Sequence, residues 1–228
     1  MAGNINEFIS SFKPNSQELA RPCNYYVEIT PPPEFFKYLK QMKETSDTLK
    51  SVFAQLNDEN DIRTLSKFRC EQAELPPRAF TLVQQKTYGP LEFYPIQNIY
   101  NKTSMTFICQ DNMKEKLFFD IWMEMMCATH PDFNYANFVN PFSTGKNPPV
   151  GMVRFDFNYK NAYTSNIIIR QNNLVGTPSY SVALRDAFPT EIYSMPLSWA
   201  QQNDYHRINV VFAYRYHYTL KNAQGEEN

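Results

Sequence analysis

A chain of 228 residues with 43% apolar and 15% aromatic side chains can bury a sizeable core, as one large domain or two small ones. Its formal net charge of −1 excludes the electrostatic footprint of a dedicated nucleic-acid binder and does little to hold copies apart. With 6 Gly against 18 Phe and 15 Tyr, the composition favours long strands rich in Tyr and Phe over short strands joined by glycine turns.

Residues 1–20 read as an arm ending at Arg21-Pro22. A first strand is expected over 25–30, stopped by Pro31, Pro32 and Pro33, because proline cannot continue a ladder. From 34 to 62 the composition changes to helix formers. Phe35, Leu39 and Met42 share one helical stripe, and Leu49, Val52, Phe53 and Leu56 another; the polar patch 45–48 between them is either a break or a polar face. The expectation is a helical insertion (34–62) within a single domain spanning 1–228. Its deletion is expected to leave a folded subunit and to remove one partner contact.

Strands resume over 64–74, and a hairpin runs from 80 to 96 through the turn Gly89-Pro90. A further strand over 103–109 places Met105, Phe107 and Cys109 on one face. The helix expected over 112–127 has Asp111 as its N-cap and Met113, Leu117, Ile121 and Met125 as its core stripe. Phe118, Phe119, Trp122, Met123 and Met126 lie off that stripe. They are buried either under the chain's own loops or against a neighbouring subunit. Residues 153–159 alternate Val, Phe, Phe and Tyr with polar side chains and read as a half-buried strand. A second hairpin spans 165–171 and 179–186 over Gly176. One long closing strand carries Ile208, Val210, Phe212, Tyr214, Tyr216 and Tyr218 inward, with His217 on its polar face.

The pattern offers little chemistry. Four cysteines, Cys23, Cys70, Cys109 and Cys127, show no paired spacing and read as reduced thiols. The 3 histidines are His130, His206 and His217. Cys127, His130 and Asp132 form the one metal-like cluster and lack a fourth ligand. No glycine-rich phosphate loop, nucleophile elbow or zinc-protease helix is present. Glu28 and Glu71 read as solvated or ion-paired. Catalytic residues, cofactor and metal are therefore all expected to be absent. Neither a signal peptide nor an apolar run of membrane-spanning length is seen, which points to a soluble product of a reducing cytoplasm. The exposed aromatics leave one alternative of another class, a soluble β-sandwich carbohydrate-binding module.

Several segments, in this order, resemble the tail tube proteins of contractile-tailed phages. Arg21-Pro22-Cys23-Asn24-Tyr25-Tyr26-Val27-Glu28-Ile29 is similar to their opening strand, and Cys70-Glu71-Gln72-Ala73-Glu74-Leu75-Pro76 to the end of their second. The stretch from Met105 through Phe119 and Trp122 resembles their strand-then-helix unit. Ser165-Asn166-Ile167-Ile168-Ile169-Arg170-Gln171, Tyr180-Ser181-Val182 and Asp186-Ala187-Phe188-Pro189-Thr190-Glu191-Ile192 resemble their late hairpin and its exit. Asn203 followed by 208–214 resembles their closing strand. The resemblance implies a mainly β fold, an antiparallel β-sandwich or barrel with a flanking α-helix, assembled as a six-membered ring in the virion tail. Hairpins 80–96 and 165–186 would line a channel that DNA only passes through, with Gln84, Lys86, Glu92, Arg170 and Arg185 as candidate lining residues. Phe35, Leu39, Met42, Val52, Phe53, Phe119 and Trp122 are the candidate contacts with neighbouring subunits or partners. The implied partners are further copies and adjacent tube and baseplate rings, with the sheath or tape measure protein as additional candidates and no membrane. The insertion 34–62 departs from the simple major tube subunit and is closer to the baseplate-proximal tube initiator; the major subunit is the alternative.

Overall fold

A computed structural model of the chain describes residues 20–45, 62, 69–86, 88–127, 157–199 and 204–220, with 41–45 described by backbone alone. Strand β1, Tyr25–Ile29, follows the Arg21-Pro22 entry and buries Val27 and Ile29. The three prolines end it as expected. Helix α1, Phe35–Thr45, starts directly after them, and Phe35 N donates to Pro32 O at 3.0 Å.

The helix is no appendage. Phe35, Tyr38 and Leu39 are buried in the main core together with Ile62, and the Phe35 ring lies 5.2 Å from that of Phe118. This burial argues against the expectation that 34–62 can be deleted from a folded subunit. Emptying even one buried Phe site costs about 3–5 kcal/mol, against a total stability of about 5–15 kcal/mol.

Strand β2 covers Cys70–Ala73 and is preceded by Arg69 in helical backbone; residues 64–68 of the expected strand lie outside the described residues. Strands β3, Arg78–Gln85, and β4, Glu92–Tyr100, form the expected hairpin, with Gly89 at φ 115° in its turn. Strand β5, Thr103–Ile108, buries Met105 and Phe107.

Helix α2, Lys114–Met126, begins two residues later than expected and is not capped by Asp111. Met113 precedes it in left-handed backbone at φ 53°, without a side-chain cap. The first-turn residue Glu115 takes over the role. Fully buried, it accepts from Gln110 N at 3.0 Å and pairs with Arg69, a carboxylate at the positive end of the helix dipole.

The strand expected over 153–159 does not form in its described part, since Phe157 makes only an isolated bridge to Cys127. Phe157 and Tyr159 point outward and Asn158 points in, the reverse of the alternation. Asn158 Nδ2 donates to Met125 O at 2.5 Å and Asn158 N to Met126 O at 2.9 Å, satisfying carbonyls that the end of α2 leaves unpaired. A short helix α3, Lys160–Tyr163, follows.

Strands β6, Ser165–Asn172, and β7, Pro178–Ile192, form the second hairpin, and β7 runs on through the segment expected to be its exit. The closing strand is two strands, β8, Arg207–Ala213, and β9, Tyr216–Thr219, broken at Tyr214 and Arg215. All pairing is antiparallel in the order β1-β6-β7-β8-β5-β2, with β9 also on β7. The first part of β7 lies between β6 and β9, and its last part pairs with β8, with Asp186 at φ 53° between the two. The sheet thus folds about β7. One core receives Val27, Ile167, Ile169 and Leu184 from one half and Phe107, Ile208, Val210 and Phe212 from the other, with Phe118, Phe119 and Trp122 from α2. Tyr25 Oη donates to Cys70 O at 3.1 Å, tying the two end strands together. The fold is the expected antiparallel sandwich or barrel flanked by a helix.

Candidate functional site

The β3–β4 hairpin stands apart as a two-stranded sheet of its own. Opposed pairs place Leu82, Gln84, Phe93 and Pro95 on one face and Val83, Gln85, Tyr94 and Glu92 on the other. Apolar side chains are open on both faces, Leu82 at 53% and Tyr94 at 46% exposure, with the bulge residue Ile96 at 64%. Neither outer edge pairs with another strand among the described residues. A two-stranded ribbon alone in water is marginal, and one that exposes apolar faces and bare edges is a surface built for a partner. At about 3.3 Å per residue, its 8-residue β3 reaches about 25 Å from the body.

The ribbon is fastened at its root. Tyr100 closes β4 and packs against the core, its ring 6.2 Å from Tyr214 and 5.1 Å from His217. Tyr214 Oη donates to Pro77 O at 3.4 Å, just before β3. Arg78 Nε donates to Asn98 Oδ1 at 3.2 Å, and Asn98 Nδ2 to Tyr100 Oη at 2.8 Å, joining the two strands. Burial, reinforced by Tyr100, pushes the Tyr214 hydroxyl up to about 12. Sequence reading placed His217 on the polar face; it sits instead half-buried opposite Leu184. The break at Arg215 shifts the alternation by one residue, turning Tyr216 outward and His217 inward.

The second hairpin is not a free ribbon, because β1 lies along β6 and β9 along β7. Its two candidate lining residues are held within the chain. Arg170 lies 3.5 Å from Glu28 and over the Tyr26 ring, and Arg185 Nε donates to Tyr218 Oη at 2.9 Å. Gln84, Lys86 and Glu92 are exposed on the β3–β4 ribbon, with the Tyr94 hydroxyl donating to Glu92.

Of the candidate contact residues, Phe35, Leu39, Phe119 and Trp122 are core, which corrects their reading as contact surface. The Trp122 indole donates to Tyr163 O at 2.7 Å, and the Phe119 ring lies 5.1 Å from Phe107 and 6.0 Å from Phe212. Helix α2 is apolar nearly all round because sheet, α1 and α3 surround it. The Met42 side chain, Val52 and Phe53 lie outside the described residues.

Glu28 and Glu71 are ion-paired as expected, Glu71 with Arg207 at 2.8 Å. Among the described residues no three His, Cys, Asp or Glu side chains gather to hold a metal, and no helix is long and apolar enough to cross a membrane. Burial pushes the Cys70 thiol up to about 12 and the Cys109 thiol up to about 11, so both are protonated and poorly nucleophilic at neutral pH. Sequence reading missed the root residues Arg78 and Tyr100, and also Leu197 and Trp199, at 85% and 100% exposure on the connection from β7 to β8. A Trp bounded by Pro196 and a polar run, outside any alternation, was the available signal for the last.

A model of the phage tail tube protein family matches residues 20–220, the span that holds every strand described above. The chain belongs to the phage tail tube protein family. Membership makes it a structural tube protein of the phage tail type. Solved structures similar to it include the PVC sheath/tube terminator of an extracellular contractile injection system in its extended state, with a TM-score of 0.48, 11% identity and coverage of 90% of this chain and 99% of that one. The anti-feeding prophage cap (AFP tube terminating cap) gives 0.48 and 12%, covering 94% and 99%. An Hcp protein gives 0.41 and 11%, covering 89% and 95%. No curated relative matches this tail tube protein.

Proposed function

We propose that this tail tube protein closes into a six-membered ring of the baseplate-proximal, initiator type, around a channel that DNA traverses. The observation that carries the reading is the β3–β4 ribbon, whose bare edges and apolar faces are left without partners among the described residues. Strand addition from one copy to the next satisfies those edges. β3 is the better joining edge, since it contains no proline, whereas Pro95 removes a donor from β4. Gln84, Lys86 and Glu92 present a mixed polar lining without the basic surface that would hold phosphates.

The initiator assignment rests on the material between β1 and β2. Its ends, α1 and Ile62, are buried in the core, and residues 46–61 between them are assigned to the contact with baseplate neighbours. Electron microscopy of the purified protein tests the ring. Annular particles with six subunits are expected, and a persistent monomer whose mobility shifts on glycan binding favours the carbohydrate-binding module instead. Immunogold labelling of virions separates the two tube roles: label confined to the baseplate end marks the initiator, and label along the whole tail marks the major subunit.

A further inference from the structure

The ribbon reaches the body through one small cluster, and an imidazole sits in it. His217, from β9, faces Tyr100 of β4 and Tyr214 of the β8–β9 corner, with the Arg78 guanidinium at the start of β3 lying 6.0 Å from the Tyr100 ring centroid and within electrostatic reach, while the residue opposite it on β7 is the apolar Leu184. On the next β7 residue, Arg185 is engaged with Tyr218. His217 Nδ1 is buried and has no hydrogen-bond partner among the described residues. We propose that His217 is a proton-operated latch on the ribbon: neutral, it lets the root pack and fixes the ribbon's direction; protonated, it loosens the root and frees the ribbon to swing.

The cause is electrostatic. A second cation within electrostatic reach of Arg78, in a half-buried site walled by two tyrosines, gains neither a carboxylate partner among the causes of its shift nor full hydration. Burial first, and Arg78 second, hold the imidazole below its usual value. In the loosened root His217 recovers an ordinary pKa of about 6.5. The packed root is therefore favoured in full above that value and loses its advantage as pH falls from there through the lowered one. Arg78 is the residue that ties β3 to β4 through Asn98, so repulsion reaches the strand junction directly.

Hydrogen–deuterium exchange on the full-length protein tests the latch without requiring a ring. Between about pH 8 and about pH 5, after correction for the intrinsic exchange rate, protection of β3–β4 is expected to fall several-fold while β6–β7 is unchanged. His217→Gln, which cannot take up a proton there, is expected to keep its ribbon protection at both pH values. An equal loss in both proteins, or no loss in the wild type, overturns the proposal. If His217→Gln does not fold, NMR titration of the three histidines decides, because His217 must titrate below the ordinary value. A normal or raised pKa sinks the latch and leaves the ring reading standing.

Discussion

Glu115 is the fully buried carboxylate of α2, and its partner Arg69 keeps 24% of its side chain in contact with water. Removing the guanidinium leaves an uncompensated charge inside the core, so Arg69→Ala is expected to cost about 3 kcal/mol in a denaturant titration. Conversion of Glu115 to Gln in the same background should recover part of that loss. A smaller penalty, about 1–3 kcal/mol, is expected for Asn158→Ala, which strands the Met125 carbonyl at the end of α2. Thiol chemistry tests the burial of two strand residues. With the native protein at about pH 8, iodoacetamide should modify exposed Cys23 at least about ten-fold faster than Cys70 or Cys109. Comparable rates by mass spectrometry would mean that β2 and the end of β5 are open.

At the scale of elements, α1 and the ribbon behave oppositely. α1 is load shared with the core, so Phe35→Ala is expected to destabilise the subunit by about 3–5 kcal/mol. The ribbon contributes little to the core, and a change on it should leave the melting transition in place while altering assembly. Val83→Pro removes a β3 donor at a residue exposed to solvent. The expected outcome is a monomer with unchanged near-ultraviolet circular dichroism and no annular particles. Should that variant still form rings, the joining edge is not β3. Sequence patterning located this hairpin and its Gly89 turn correctly, since alternation and turn chemistry are local. It could not show that the second hairpin, which the resemblance places beside the first as channel lining, has its outer edges covered within the chain, because that depends on strands remote in the sequence, here β1 and β9.

For the whole molecule, the fold about β7 gives two half-sheets and a helix one shared interior, which leaves the β3–β4 ribbon outside it. The proposed ring requires head-to-tail rather than face-to-face association, and a projecting apolar ribbon beside a separate closed body is suited to it. Deleting 34–62 removes Phe35, Tyr38, Leu39 and Ile62 from that interior, so the shortened chain is expected to be insoluble or molten by circular dichroism. A deletion limited to 46–61 spares the four core residues and is the variant able to report on a baseplate contact. A soluble, cooperatively folding 34–62 deletion would show that α1 is dispensable.

What the residues determined unaided was local or ordered along the chain: most of the strands, the proline stop after β1, helix α2, and the succession of segments that marks a tail tube protein. Burial of Phe119 and Trp122, the inward turn of His217 and the reversal at Asn158 were decided only by tertiary structure. The physical reason is common to all three. An alternating pattern states that two faces differ, while the identity of the covering layer, and any one-residue break that exchanges the faces, is set by elements far away in sequence.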